Sequence, residues 1–252
     1  MTEDFAITTV GEMVALDFRY ADVFEQFGID FCCSGRRTLA DACRAAGADA
    51  TEVARALHSL PAVSGTDDDV AHQSVSELID HIVSVHHRYV RSALPRISQH
   101  LLKLTEAHGD RHPELKRVAA YFAQMAGDLT QHMYKEEMIL FPYVSDLAQR
   151  ADGCGLTRSP FGSVENPIRM MEREHEDAGA ALRLIRELTG GYAAPADGCT
   201  TYALTMAELR DFERDLHRHV HLENNLLFPA AVRLEERACL NAMSRGASIA
   251  AP

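Results

Sequence analysis

Two stretches of the chain repeat one skeleton. His132-Met133-Tyr134-Lys135-Glu136-Glu137-Met138-Ile139-Leu140-Phe141-Pro142 and His219-Val220-His221-Leu222-Glu223-Asn224-Asn225-Leu226-Leu227-Phe228-Pro229 each read His, Glu four later, Phe nine later and Pro ten later. On a helix four residues advance a little more than one turn, so each His shares a face with its Glu, about 6 Å apart along the axis. An imidazole nitrogen and a carboxylate oxygen can then reach one small volume. A single His-x-x-x-Glu is an ordinary exposed pair on most helices, but two copies with matching Phe-Pro ends point to metal-ligand chemistry.

The elements that would position these groups are long helices. Ser74 or Ser76 can cap the first, whose face runs through Val75, Ile79, Ile82, His86, Val90, Ala93, Ile97 and Leu104 before a stop near Gly109. The second starts at about Pro113 and carries Leu115, Val118, Phe122, Met125, Leu129, His132, Glu136, Ile139 and Tyr143 at alternating spacings of three and four. A third runs from about Asn166 to Leu188, and a fourth places Leu209, Phe212, Leu216, His219, Glu223, Leu226 and Ala230 on one stripe. His132, Glu136, His219 and Glu223 therefore occupy positions where apolar residues are expected.

In an up-and-down bundle, residues at one height lie symmetrically about each turn. The point midway between His87 and His132 falls at Gly109-Asp110, that between His132 and His175 at Gly153-Cys154, and that between His175 and His219 at Asp197. Each lands in a segment that reads independently as a turn, the last within Pro195-Ala196-Asp197-Gly198. One histidine per helix thus reaches a common level, with Glu136 and Glu223 a turn away. Burying such groups without a partner costs several kcal/mol for each unpaired ion, and a metal removes that cost. Imidazole and carboxylate donors without thiolate suit iron, manganese or zinc. Two carboxylates from different helices can each bridge two ions, so a dinuclear site is the more natural reading. It departs from the carboxylate-rich Glu-x-x-His sites of other helical bundles.

Ahead of the long helices, residues 1–60 read as a small domain of short helices, residues 61–73 as a linker rich in Pro, Gly and Asp, residues 74–236 as the bundle and residues 237–252 as a frayed tail. The fold class is all-α. With 25 basic against 37 acidic residues and a net charge of −12, the chain opposes a polyanion surface, so no nucleic acid partner is expected. No apolar run approaches the roughly 20 residues of a membrane span, and Met1-Thr2-Glu3-Asp4 lacks the basic start of a signal peptide. No membrane partner and a cytoplasmic location are expected. The cysteines Cys32, Cys33, Cys43, Cys154, Cys199 and Cys239 form no CxxC framework and read mostly as free thiols of a reducing compartment.

The segment Met170-Met171-Glu172-Arg173-Glu174-His175-Glu176-Asp177-Ala178-Gly179, the two His-x-x-x-Glu stretches with their Leu-Phe-Pro ends, and Phe31-Cys32-Cys33-Ser34-Gly35-Arg36-Arg37-Thr38-Leu39 together resemble the hemerythrin-like di-iron proteins called repair of iron centres. The resemblance extends over nearly the whole chain. It implies a small N-terminal cysteine-containing domain followed by a hemerythrin-like up-down four-helix bundle, with two iron ions joined by oxo-type and carboxylate bridges. The ligands it implies are His87, His132, Glu136, His175, His219 and Glu223. The function it implies is repair of, or iron supply to, iron-sulfur clusters damaged by nitric oxide or oxidants, with damaged or apo iron-sulfur proteins as partners. Two alternatives stand beside it: reduction of nitric oxide at the di-iron site, and a sensor that binds oxygen or nitric oxide.

Several residues are less sharply defined. Periodicity centres His86 on the apolar face and sets His87 at its edge, whereas the resemblance points to His87. His108 lies 21 residues beyond His87, about 31 Å along a helix, and reads as a turn residue outside the site. His217 and His221 lie off the stripe and read as solvent-facing or supporting. Glu137 and Glu174 read as surface carboxylates, with orientation of a ligand imidazole as the alternative. Tyr134 and Tyr143 are placed near enough to the metals to bear on electron transfer, although Tyr134 is off the stripe. Cys32 and Cys33 read either as a buried thiol beside an exposed one or as a thiol pair that accepts electrons, binds a metal or contacts a cluster partner, with Arg36 and Arg37 expected to lower their pKa; the resemblance favours thiols for redox or iron transfer. As neighbours they are poorly placed for a relaxed disulfide.

Overall fold

The structure is a computed structural model that describes residues 8–60, 73–150 and 161–248. Among them every regular element is helical, and extended backbone pairs only at a bridge between Thr9 and Thr38. The described residues gather into two compact units, one drawn from residues 1–79, 145–159 and 220–252 and the other from residues 80–144 and 160–219.

The first unit begins with four short helices: α1 (Val10–Leu16), α2 (Arg19–Gln26), α3 (Leu39–Ala46) and α4 (Ala50–His58). Their starts follow from local chemistry. Thr9 and Glu12 form a reciprocal capping box, while the Thr38 and Asp49 side chains accept backbone N–H groups in the first turns of α3 and α4. Each helix is too short to persist alone, so burial of Val10, Met13, Phe24, Leu39, Val53 and Leu57 supplies what propensity cannot. The long helix at the end of the chain contributes to the same unit: α10 (Thr200–His221) passes into a π-helical turn, π3 (Leu222–Leu227), and continues as α11 (Phe228–Ser248). The helix therefore extends past Glu236, where fraying was expected.

The second unit is the four-helix core. A short helix, α5 (Val75–His81), leads into it and starts on the reciprocal Ser74–Glu77 cap. It continues through π1 (Ile82–His87) into α6 (Arg88–His108). Then follow α7 (Glu114–Lys135), π2 (Glu136–Leu140), α8 (Phe141–Arg150), whose residues from 145 on belong to the first unit, and α9 (Glu165–Leu188), with α10 as far as His219 completing the four. Ile97, Leu104, Leu115, Val118, Phe122, Leu182, Leu209 and Phe212 are fully or almost fully buried, and Phe122 meets Phe212 edge to face at 5.5 Å. Pro113 stands at the N-cap of α7, where its missing N–H costs nothing. The turns expected at Gly109 and at 195–198 are present, whereas 61–72 of the expected linker and the break at 151–160 lie outside the described residues.

The stripes inferred from periodicity hold as far as the π-turns and then slip by one residue. Ile139 is 46% exposed and Tyr143 only partly buried, while Leu140, Val144 and Leu147 take the inward positions. Beyond Glu223, Leu227, Phe228 and Ala231 are buried in place of Leu226 and Ala230. The reason is geometric. A π-turn holds one residue more than an α-turn, so everything after it rotates relative to a 3.6-residue repeat. The matching Phe-Pro endings mark the exits of π2 and π3. A proline ring crowds the carbonyl four residues back and offers no N–H, and a widened turn before it accommodates both defects.

Candidate metal centre

Five of the six expected ligands lie in the second unit, each set by a different part of the core. His87 ends π1, His132 closes the last turn of α7, Glu136 opens π2, His175 lies mid-way along α9 and His219 is near the end of α10. All five are at most 1% exposed. His87, Glu136 and His219 offer donor atoms within 4.8 Å of one another, and so do His132, Glu136 and His175. Glu136 belongs to both groups. Its Oε2 lies 3.4 Å from His87 Nε2 and 3.2 Å from His132 Nε2. Glu223 is fully buried one helical turn beyond His219 on the same helix, within π3.

The chemistry of this donor set is decided by what holds the rings from behind. His87 Nδ1 donates to Glu137 Oε1 at 2.6 Å, and His132 Nδ1 donates to Glu174 Oε2 at 2.9 Å, because an ionised carboxylate can only accept. In its neutral form each ring then has its lone pair on Nε2. Those nitrogens face other ring nitrogens: His87 Nε2 is 3.1 Å from His219 Nε2, and His132 Nε2 is 3.0 Å from His175 Nε2. Two pairs of inward ring nitrogens around a buried carboxylate form a cavity of donors that a cation satisfies. The residues fit a metal.

Glu137 and Glu174 are therefore more than surface carboxylates. Glu137 also accepts from Arg91 at 2.6 Å, and Glu174 pairs with Lys135. The His132 hydrogen bond, assisted by Lys135 against partial burial, holds the Glu174 carboxyl down to about 2. Both carboxylates fix ring orientation and tautomer, the support that ligand imidazoles ordinarily receive. An open groove of about 450 Å³ between α7 and α9 has His132, Lys135 and Glu174 in its wall.

His86 is also buried, at 2% exposure, because π1 turns two consecutive residues inward. Its Nδ1 bonds Asp215 Oδ1 at 3.0 Å, and its ring stacks on His219 at 5.8 Å, so it backs the cluster while His87 points into it. His108 closes α6 with Nε2 3.3 Å from Cys199 Sγ, and is part of neither donor group. His217 is partly exposed. His221 corrects its solvent-facing reading: it is 1% exposed and packs against Phe18 and Phe31 at 6.4 and 5.9 Å. Tyr134 is 58% exposed, and Tyr143 packs on Phe161 at 5.4 Å.

In the first unit Cys32 is buried, Cys33 is partly exposed, and both are free, as are Cys43, Cys199 and Cys239; Cys154 lies outside the described residues. Arg36 and Arg37 do not lower the Cys32 thiol as expected. Its hydrogen bond to Cys33, its burial and the Asp30 charge push its pKa well up instead.

Comparison with known proteins agrees with this geometry. Residues 78–231 match the hemerythrin HHE cation binding domain, and residues 6–61 match ScdA_N, a domain of unknown function (DUF542). The iron-sulfur cluster repair protein YtfE of Yersinia pseudotuberculosis serotype O:1b (strain IP 31758) is 33% identical over 232 residues, 92% of this chain and 100% of that protein. The YtfE protein of Dickeya chrysanthemi (strain Ech1591) is 35% identical over 228 residues, 90% of this chain and 97% of that protein. That of Musicola paradisiaca (strain Ech703) is 34% identical over 227 residues, with the same shares covered. The chain belongs to this hemerythrin-like repair family. The cation that such a family member binds is iron, and the buried His/Glu groups are able to hold it. Among the described residues no helix is long and apolar enough to cross a membrane.

Proposed function

We propose that this protein repairs, or supplies iron to, iron-sulfur clusters damaged by nitrosative or oxidative stress. The iron comes from a di-iron centre held by His87, His132, Glu136, His175, His219 and Glu223. The observation that carries the reading is the pair of facing Nε2 contacts on either side of Glu136, with tautomers fixed from behind by Glu137 and Glu174. The names of the YtfE relatives supply the biological direction.

The division of labour follows from the donors. His87 and His219 would hold one ion and His132 and His175 the other. Glu136 lies between His87 and His132, so it and Glu223, one turn beyond His219, would be the carboxylates shared by the two ions. Bound iron supplies redox chemistry and, when released, the material of a new cluster. Glu137 and Glu174 hold the two outer imidazoles through Nδ1 with Nε2 aimed inward, and the groove beside His132 lets small ligands or departing iron reach that side of the centre. Cys32 and Cys33 act as thiols in redox or iron transfer, in a reducing cytoplasm.

The deciding experiment mixes the iron-loaded protein with an apo iron-sulfur protein plus sulfide and reductant, then follows cluster absorbance in the recipient. Recipient clusters should form as donor iron falls from about two per chain. Iron that stays on the donor while the recipient remains empty would reject the supply reading.

A further inference from the structure

The loop joining α2 to α3 contains a second cluster of metal-seeking groups. Asp30, Cys32 and Cys33 each offer a donor atom, all within 4.8 Å of one another. The loop folds around Asp30. Its Oδ1 accepts the N–H groups of Cys33 at 2.9 Å and Ser34 at 3.3 Å, while Oδ2 accepts the Ser34 hydroxyl at 3.2 Å. This Asx-type turn bends the chain back on itself. It leaves Cys32 Sγ 3.4 Å from Asp30 Oδ1 and 3.9 Å from Cys33 Sγ.

The other side of the loop is fastened to π3. Asn224 Nδ2 donates to the Cys32 carbonyl at 3.3 Å, and Asn225 Nδ2 donates to the carbonyls of Cys32 and Phe31 at 3.2 and 3.3 Å. The Asn225 amide fits only because two residues lack side chains. A Cβ on Gly11 would come 2.6 Å from its Oδ1, and one on Gly35 would come 2.2 Å from it. The three donors are consequently pre-positioned on a backbone held from both sides, which removes much of the ordering cost of a coordination site.

We propose that Asp30, Cys32 and Cys33 form a second cation site that binds a divalent ion with affinity for sulfur, Fe²⁺ or Zn²⁺, through two thiolates and one carboxylate. Thiolate donors set it apart from the His/Glu centre, which contains none. Binding breaks two S–H bonds, releases two protons to solvent and forms two metal–sulfur bonds, with no electron transferred. Three protein donors leave a coordination position open. Asp30 and Cys33 are both partly exposed, so an ion there can exchange with ligands in solution or on another protein. The role of this site as a stage through which iron passes rests on the iron-supply reading; its existence does not.

The test titrates the reduced, metal-free full chain with Co²⁺. Cobalt bound by His and Glu lacks a sulfur-to-metal charge-transfer band, so a near-ultraviolet band reports the thiol site alone. Wild type should develop that band, with a final intensity equal to one thiolate-bound ion per chain beyond whatever Co²⁺ the His/Glu centre takes up. Cys32→Ser and Cys33→Ser should abolish it, and Asp30→Asn should weaken the affinity about tenfold, whereas Cys199→Ser and Cys239→Ser, at exposed positions, should leave it intact. Unchanged helicity and unchanged sulfur-free Co²⁺ binding would show that the variants fold. Absence of the band in reduced wild type, or its survival in the Cys32→Ser/Cys33→Ser double variant, would overturn the site. A double variant that lacks the band yet delivers iron to the recipient at the wild-type rate would overturn passage through the thiols while leaving supply from the His/Glu centre standing.

Discussion

Along α7 and π2, the side chains from Leu115 to Leu129 and those from His132 to Leu140 face the same interior under different constraints. The first set keeps the α-helical repeat, and its members are at most 3% exposed. The second set leaves that repeat at Glu136, where π2 begins. Apolar packing is satisfied by many arrangements of similar volume, so a regular helix suffices. Donor atoms must converge on a point, and a helix with fixed angular steps cannot always aim them. An inserted residue changes the aim without ending the helix. The same device recurs at His87 and Glu223, while His175 reaches its position from unbroken α9.

The comparison can be broken most severely at π2. Deleting Met138, which is 61% exposed, should let the turn close into an α-helix while Leu140 and Val144 keep their inward faces. Helicity should survive and iron content should fall nearly to zero; full iron retention in a folded deletion variant would show that the π-turn does not position Glu136. The converse change lies in the regular region. Phe122→Ala should cost about 3–5 kcal/mol through loss of a buried ring, lowering Tm by roughly 10 °C, while the molecules that remain folded still bind iron. A calorimetric scan with metal analysis separates the two outcomes.

Smaller effects sharpen the boundary. Glu137→Gln and Glu174→Gln should each weaken metal binding about 10- to 100-fold by loosening an imidazole, with little change in the Tm of the metal-free chain. Competition with a chelator measures this, and an unchanged affinity would return both groups to the surface. Ile139→Lys should change stability by no more than about 0.5 kcal/mol, since the π-turn has carried that position outward. A large loss in denaturant melts would mean that the original stripe continues through Glu136.

Much of this arrangement was legible because its parts are periodic or symmetric. The cores of α6, α7, α9 and α10 follow from spacing, and the common histidine level follows from the positions of His87, His132, His175 and His219 about the turns. The π-turns were not legible as such, since one inserted residue leaves composition unchanged. Their trace was the phase jump of the apolar residues: Leu140, Val144 and Leu147 continue a three-and-four rhythm one step out of line with Leu129 and His132. Glu137 and Glu174 were hidden because exposed carboxylates are common. Their signal was adjacency to Glu136 and His175, from which a long side chain reaches the ring on a neighbouring helix. His221 was hidden for another reason: it precedes π3 and lies off the stripe of α10, but Phe18 and Phe31 cover it, and Asn225, four residues on, donates to its Nδ1 at 3.2 Å. The Asp30 cluster could not be read from adjacent cysteines alone, because the turn that gathers it is made by side-chain-to-backbone bonds.

The fastening of Cys32 to Asn224 and Asn225 ties the breathing of the thiol loop to that of a helix. A loop bonded only to itself opens at a rate set by its own few contacts. Here opening requires release of the two amides that π3 presents one and two residues after Glu223. The N–H groups of Cys33 and Ser34, which Asp30 covers, should therefore exchange with deuterium in step with the amides of π3 and more slowly than loop amides ordinarily do. Occupation of Glu223 by a metal would then be recorded as a change in exchange rate at a cysteine nearly two hundred positions earlier in the chain.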